Sequence, residues 1–186
     1  MKSRTGLGLI VLFSAAPAFA HPLHGAGGLA AGFAHPFLGL DHMLAMLAIG
    51  LWAAQLGARA VWAVPGVFML TMLAGFGLGV TGFSLPGAEP MIAASLVSFG
   101  LLVAARAKLP AAAGMLIAVA FALSHGFAHA AEIPLRADAL SYALGFACTT
   151  AALHALGLLL GRSLRARYLG VPIALAGALM LAQAAV

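Results

Sequence analysis

Residues 35–50 read HPFLGLDHMLAMLAIG, and the fold turns on how an Asp–His pair, Asp41 and His42, comes to stand in this apolar run. The run continues to Leu56, about the 20 helical residues that a hydrocarbon core of roughly 30 Å requires. It therefore reads as a membrane-spanning helix starting at Pro36. A carboxylate inside such a helix costs about 2.5–3.5 kcal/mol to insert. A group that costly is normally placed for an ion pathway, a counter-ion or a metal.

The rest of the chain suits a membrane. Of its 186 residues, 64% are hydrophobic and 7% charged, with a mean hydropathy of +1.11, outside the range of ordinary soluble domains. The formal charge of +5 does not point to nucleic acid. The basic residues sit singly or in short groups between apolar runs and form no continuous basic face. A single Cys148 excludes an internal disulfide.

Met1–Ala20 has the parts of a cleavable signal peptide: Lys2 and Arg4, an apolar stretch Leu7–Ala15, and Ala18-Phe19-Ala20 as an A-x-A cleavage site. The alternative is an uncleaved anchor helix, which adds a span and leaves the orientation unchanged. Residues 21–35 form a Gly- and His-rich extracytoplasmic arm or partly inserted segment, and 36–186 a transmembrane domain. Its six apolar runs are Pro36–Leu56, Val61–Phe83, Pro90–Ala105, Ala111–Ala131, Ala139–Gly161 and Tyr168–Val186. The expected fold is an all-α membrane protein, a bundle of six transmembrane helices. With the mature N-terminus outside, the inner loops hold Arg59, Arg106, Lys108, Arg162, Arg165 and Arg167, and the outer loops only Arg136. That is the positive-inside pattern of a cytoplasmic membrane protein with both termini outside. Gly75-x-x-x-Gly79 and Gly157-x-x-x-Gly161 read as close-packing seams between helices.

The ionisable residues away from the inner loops are few. Counting about 1.5 Å per helical residue, Asp41 and His42 lie roughly 8–9 Å below the outer end of the first span, and His125 lies about 9 Å below that of the fourth. On the fourth span His125, His129 and Glu132 are spaced i, i+4 and i+7, within about 60° of arc on one stripe. Two imidazoles and a carboxylate are donors suited to a borderline divalent ion. On the first span His35 and His42 are seven apart, and Asp41 can ligate directly or hold an imidazole by a hydrogen bond. His154 lies deeper, with Thr150 one turn before it on the same face. For His154 an interhelical hydrogen bond is an equal reading, and for His21 and His24 solvent exposure competes with a metal-collecting arm. Glu89 and Asp138 read as solvated loop residues. The tetrapeptide GFAH occurs at Gly32–His35 and again at Gly126–His129, a short match that would suit an inverted duplication.

Three stretches resemble the HupE/UreJ family. HPFLGLDHMLAMLAIG is similar to its first-span signature, SHGFAHAAEIP to its H-G-x-A-H motif followed by an acid, and GFACTTAALHALG to its third, T-x-x-L-H-x-x-G. One departure is Ala130, where the second motif often has Gly. The resemblance implies a nickel or cobalt permease linked to hydrogenase or urease maturation. Carried over by position, it implies metal handling by His35, Asp41, His42, His125, His129, Glu132 and His154. It implies nickel or cobalt as the transported substrate with no tightly bound cofactor. The partners expected are the ion, the lipid bilayer and cytoplasmic metallo-enzyme maturation proteins, with self-association left open.

Other functions fit less well. An intramembrane hydrolase using Ser124 and His125 is disfavoured because helix neighbours diverge by about 100°, and there is no G-x-S-x-G. A haem-binding electron-transfer subunit accounts for paired histidines but not for the acids beside them. A membrane metal sensor or chaperone would use the same ligands without transport. No G-x-x-x-x-G-K-[ST] exists to couple ATP hydrolysis.

Overall fold

The computed structural model of the chain describes residues 27–57 and 59–184. The expected signal peptide, and His21 and His24, lie outside the described residues. Among the described residues seven helices follow one another: α1 (Gly28–Leu38), α2 (Leu40–Leu56), α3 (Ala60–Val80), α4 (Ala88–Ala105), α5 (Ala111–Ala131), α6 (Ala139–Gly161) and α7 (Arg167–Ala184), the last entered through a short 3-10 turn at Leu164–Ala166. The described residues contain no strand. Each of α3 to α6, and α7 with its leading turn, is long and apolar enough to cross a membrane; α1 and α2 together make a sixth, broken span.

That broken span corrects the expectation of one straight helix from Pro36. Helix α1 already begins at Gly28, and α1 and α2 meet at an angle of 81°. Pro36 is not the first helical residue but lies buried inside α1, where its missing N–H leaves the carbonyl one turn earlier without a helical partner. Three residues later Gly39 leaves the helix in an extended conformation (φ −101°, ψ 110°) and α2 starts afresh. Asp41 and His42 consequently occupy the first turn of α2 rather than a point two turns into a continuous helix. They are still carried into the bundle, by a different route: α1 runs beside the first half of α6, from Asp138 to Thr149. The Thr149 hydroxyl donates to the Phe33 carbonyl at 2.7 Å and anchors the lower end of α1.

Glycines set the helix spacing. Gly75 and Gly126 face each other across α3 and α5, Gly50 and Gly157 across α2 and α6, Gly32 and Gly145 across α1 and α6, and Gly100 and Gly170 across α4 and α7. At each a β-carbon would collide with the opposing backbone. Lipid offers no hydrophobic drive between helices, so cohesion comes from this close backbone approach. Both expected small-residue seams are thus packing surfaces. Inside the bundle Trp52, Phe68, Phe99, Phe146, Met46 and Met72 are fully buried.

The two ends of the bundle differ in charge. The Trp52 indole donates to the Ala107 carbonyl at 3.0 Å, and Gly114 packs on Trp52 and Leu56, so the α2–α3 and α4–α5 connections share one end. Gly161 on Leu51 and Gly170 on Ala104 bring the α6–α7 connection to the same end. It carries Arg59, Arg106, Lys108, Arg162, Arg165 and Arg167. All four acids of the chain, Asp41, Glu89, Glu132 and Asp138, lie at the opposite end. There Glu89 is not a loop residue but stands in the first turn of α4, whereas Asp138 is the exposed loop residue expected, and it also caps α6. Asp138 Oδ1 accepts from the Ser141 backbone at 2.8 Å and from its hydroxyl at 2.7 Å, and these bonds hold its carboxyl below the usual range.

Candidate metal centre

The acidic end of the bundle encloses a cluster of histidines drawn from three helices. Helix α1 brings His35, α2 brings His42, and α5 brings His125 and His129. The His35 ring centroid is 5.8 Å from that of His42 and 4.9 Å from that of His129. His42 in turn lies 4.7 Å from His129 and 5.5 Å from His125. His125 and His129 are fully buried and His42 nearly so. Only the 81° bend permits this, because a straight first span would carry His35 away from α5 instead of folding it back over His42.

Carboxylates fix some of the rings. Asp41 Oδ1 lies 3.0 Å from His42 Nδ1, and a carboxylate can only accept, so Nδ1 carries the proton and Nε2 offers its lone pair. His125 Nδ1 donates to the Phe121 carbonyl at 3.0 Å, which likewise leaves Nε2 as a free donor to a metal. Among the described residues both Nε2 atoms are buried without a partner, as are both nitrogens of His129. Buried polar atoms are rarely left so, and several of them on neighbouring imidazole rings are donors that a cation could use. Glu132, the residue closing α5, reaches back to His35 with Oε2 3.0 Å from Nε2. His35, His129 and Glu132 present ligand atoms within 4.8 Å of one another.

The sequence-predicted residues therefore separate into a group and an outlier. His35, Asp41, His42, His125, His129 and Glu132 come together; His154 stands deeper, buried, with both nitrogens unpartnered among the described residues. Phe68 from α3 lies between His125 and His154, its centroid 5.2 Å from the first and 5.6 Å from the second. Thr150, one turn before His154, is also buried with its hydroxyl unpartnered.

Phe68, Tyr142 and Phe146 are site-lining residues that spacing did not single out. Phe146 stacks flat on His129 at 4.7 Å and 16°. Tyr142 meets His35 edge-on at 5.6 Å, and its buried hydroxyl has no partner among the described residues. A usable signal existed: Tyr142, Phe146, Thr149 or Thr150 and Leu153 recur at helical spacing on the face of α6 that also bears His154. The two GFAH copies meet at the centre. Gly32 lets α1 dock on α6, Gly126 lets α5 dock on α3, and the histidines three residues later face each other.

Fold and cluster define a class: a multi-pass helical membrane protein that gathers imidazoles and carboxylates inside one end of its bundle. The chain belongs to the HupE/UreJ family, whose model, described as HupE / UreJ protein, matches residues 9–186. It is 44% identical over 178 residues to Protein HupE from Rhizobium leguminosarum bv. viciae, a match covering 90% of this chain and 92% of that protein. No solved structure matches the chain significantly.

Proposed function

We propose that the protein is a secondary transporter that takes up divalent nickel or cobalt across the cytoplasmic membrane and supplies hydrogenase or urease maturation in the cytoplasm. The observation that carries this reading is the convergence of His35, His129 and Glu132 within 4.8 Å, beside the oriented imidazoles of His42 and His125. Imidazole with a minority of carboxylate suits nickel, cobalt, copper and zinc and disfavours magnesium and calcium. Six basic residues at one end support an orientation with that end in the cytoplasm. The metal cluster then opens outward. His154, behind Phe68, is the next ligand on the inward path. Inward passage of a double charge gains about 4.6 kcal/mol per 100 mV of membrane potential, enough to drive uptake without ATP. The chain acts as a carrier and not as an enzyme, with the ion as its substrate.

Labelled-nickel uptake in cells lacking their own importers tests this, comparing the wild type with Asp41→Asn and using cobalt, zinc and copper as competitors. Asp41-dependent uptake blocked mainly by cobalt is the expected result. No uptake by correctly inserted protein would replace the transporter with a membrane metal sensor or chaperone.

A further inference from the structure

We propose that the metal centre is two stations sharing one ligand: a capture station of His35, Glu132 and His129, and a selecting station of His42 and His125, with His129 passing the ion between them. This rests on the metal-transport reading above and assigns its steps to particular atoms.

The two groups differ in access. Glu132 is exposed over 41% of its side chain and His35 over 17%, whereas His42 shows only 4% and His125 none. An ion arriving at the acidic end meets the capture station first. That station is already assembled, and among the described residues it is the one set of three such donors so drawn together. It includes a carboxylate, which favours the approach of a hydrated dication and discriminates little between hard and borderline ions.

The selecting station is prepared differently. Asp41 and the Phe121 carbonyl occupy Nδ1 of His42 and His125, so each turns a preset Nε2 lone pair into the interior. An all-imidazole set accepts nickel, cobalt, copper or zinc and rejects manganese and magnesium. Among the described residues its donors are not drawn together with His129 as those of the capture station are.

His129 connects the two. Among the described residues neither of its nitrogens has a hydrogen-bond partner, and its ring lies 4.9 Å from His35 and 4.7 Å from His42. The flat stack on Phe146 holds the plane of the ring while leaving its edges free. A ligand fixed by no other bond can stay attached to the ion while the ion exchanges one set of neighbours for the other.

Equilibrium and stopped-flow binding of Co2+ and Mn2+ to the purified full chain in nanodiscs tests the division, with the cobalt d–d spectrum reporting the ligands. His125→Ala should still bind Co2+ through the capture station, with an altered spectrum and at least a tenfold loss of preference for Co2+ over Mn2+. Glu132→Gln should keep that preference while its loading rate falls at least tenfold. His129→Ala should lose at least tenfold in Co2+ affinity. If His125→Ala does not fold, His125→Gln tests the same station. Equal loss of Co2+ affinity in His125→Ala and Glu132→Gln, with the metal preference unchanged, would show a single undivided site and overturn the proposal while leaving the transporter intact. A wild type that binds neither Co2+ nor Ni2+ would overturn both.

Discussion

Asp41 Oδ1 accepts two hydrogen bonds from the residue that follows it, the His42 backbone N–H at 2.8 Å and its imidazole Nδ1 at 3.0 Å. One carboxylate oxygen thus starts α2 and fixes the tautomer of the ring it starts with. Asp41→Asn keeps the shape, but its amide can present N–H₂ as readily as oxygen to Nδ1, and the charge is gone. Metal affinity should fall about 10–100-fold, the usual cost of losing a carboxylate behind a ligating histidine, with folding retained. Isothermal titration with Ni2+ measures it, and an unchanged affinity would deny Asp41 this role.

Gly39 is needed for space. Its φ of −101° is open to any residue, but a β-carbon there would lie 2.9 Å from both Asp41 Oδ1 and His42 Nδ1. Gly39→Ala should therefore leave α1 and α2 helical while pushing the Asp41–His42 pair apart. We expect metal affinity to fall at least as far as in Asp41→Asn, on the order of tenfold or more, with an unaltered circular dichroism spectrum. Wild-type affinity in this variant would mean that the pair tolerates displacement.

The limits of the sequence are visible at this same glycine. Hydropathy locates α3 to α7 to within a few residues, because continuous apolar runs bounded by Pro, Gly and Arg have one physical solution in a bilayer. Ligand spacing locates six residues that do converge. Neither marks the break at Gly39, since a Pro followed by a Gly three residues later is compatible with a helix that starts at the Pro as well as with one that ends at the Gly. The choice is made by tertiary packing of Gly28 and Gly32 against α6, which no local pattern encodes. Phe68 escaped notice for a similar reason: an aromatic in an apolar helix carries no sign that it lies between two histidines.

The seams predict a sharp contrast within one helix pair. Gly126 docks against the backbone of Met72 and Phe76, whereas a β-carbon on Gly66 of α3 would meet nothing within 4 Å among the described residues. Gly126→Leu should abolish the folded, monodisperse protein, because the obstruction is main chain and cannot repack. Gly66→Leu, facing outward, should leave elution and melting temperature unchanged. Fluorescence-detected size exclusion and a thermal melt distinguish them, and equal behaviour would mean that glycine packing is not what holds α3 to α5.

Ala130 stands where the family motif often has glycine, and its methyl lies where a β-carbon on Gly79 would be. The two positions share one small volume at the α3–α5 seam, Gly79 giving up the space that Ala130 fills. Gly79→Ala should overpack the seam and cost about 1–3 kcal/mol. Ala130→Gly empties the space and should cost about 1 kcal/mol, largely from helix propensity. Together the substitutions exchange the methyl from one helix to the other, so the double variant should be more stable than the sum of the two losses, by a coupling of about 0.5–3 kcal/mol. Thermal melts of the four proteins read the coupling directly. Metal binding should remain near wild type in Ala130→Gly, since Ala130 supplies no donor atom and its methyl packs towards Gly79 on α3. Strict additivity would mean that the seam relaxes around either residue independently, and that Ala130 is a neutral replacement and not one half of a matched pair.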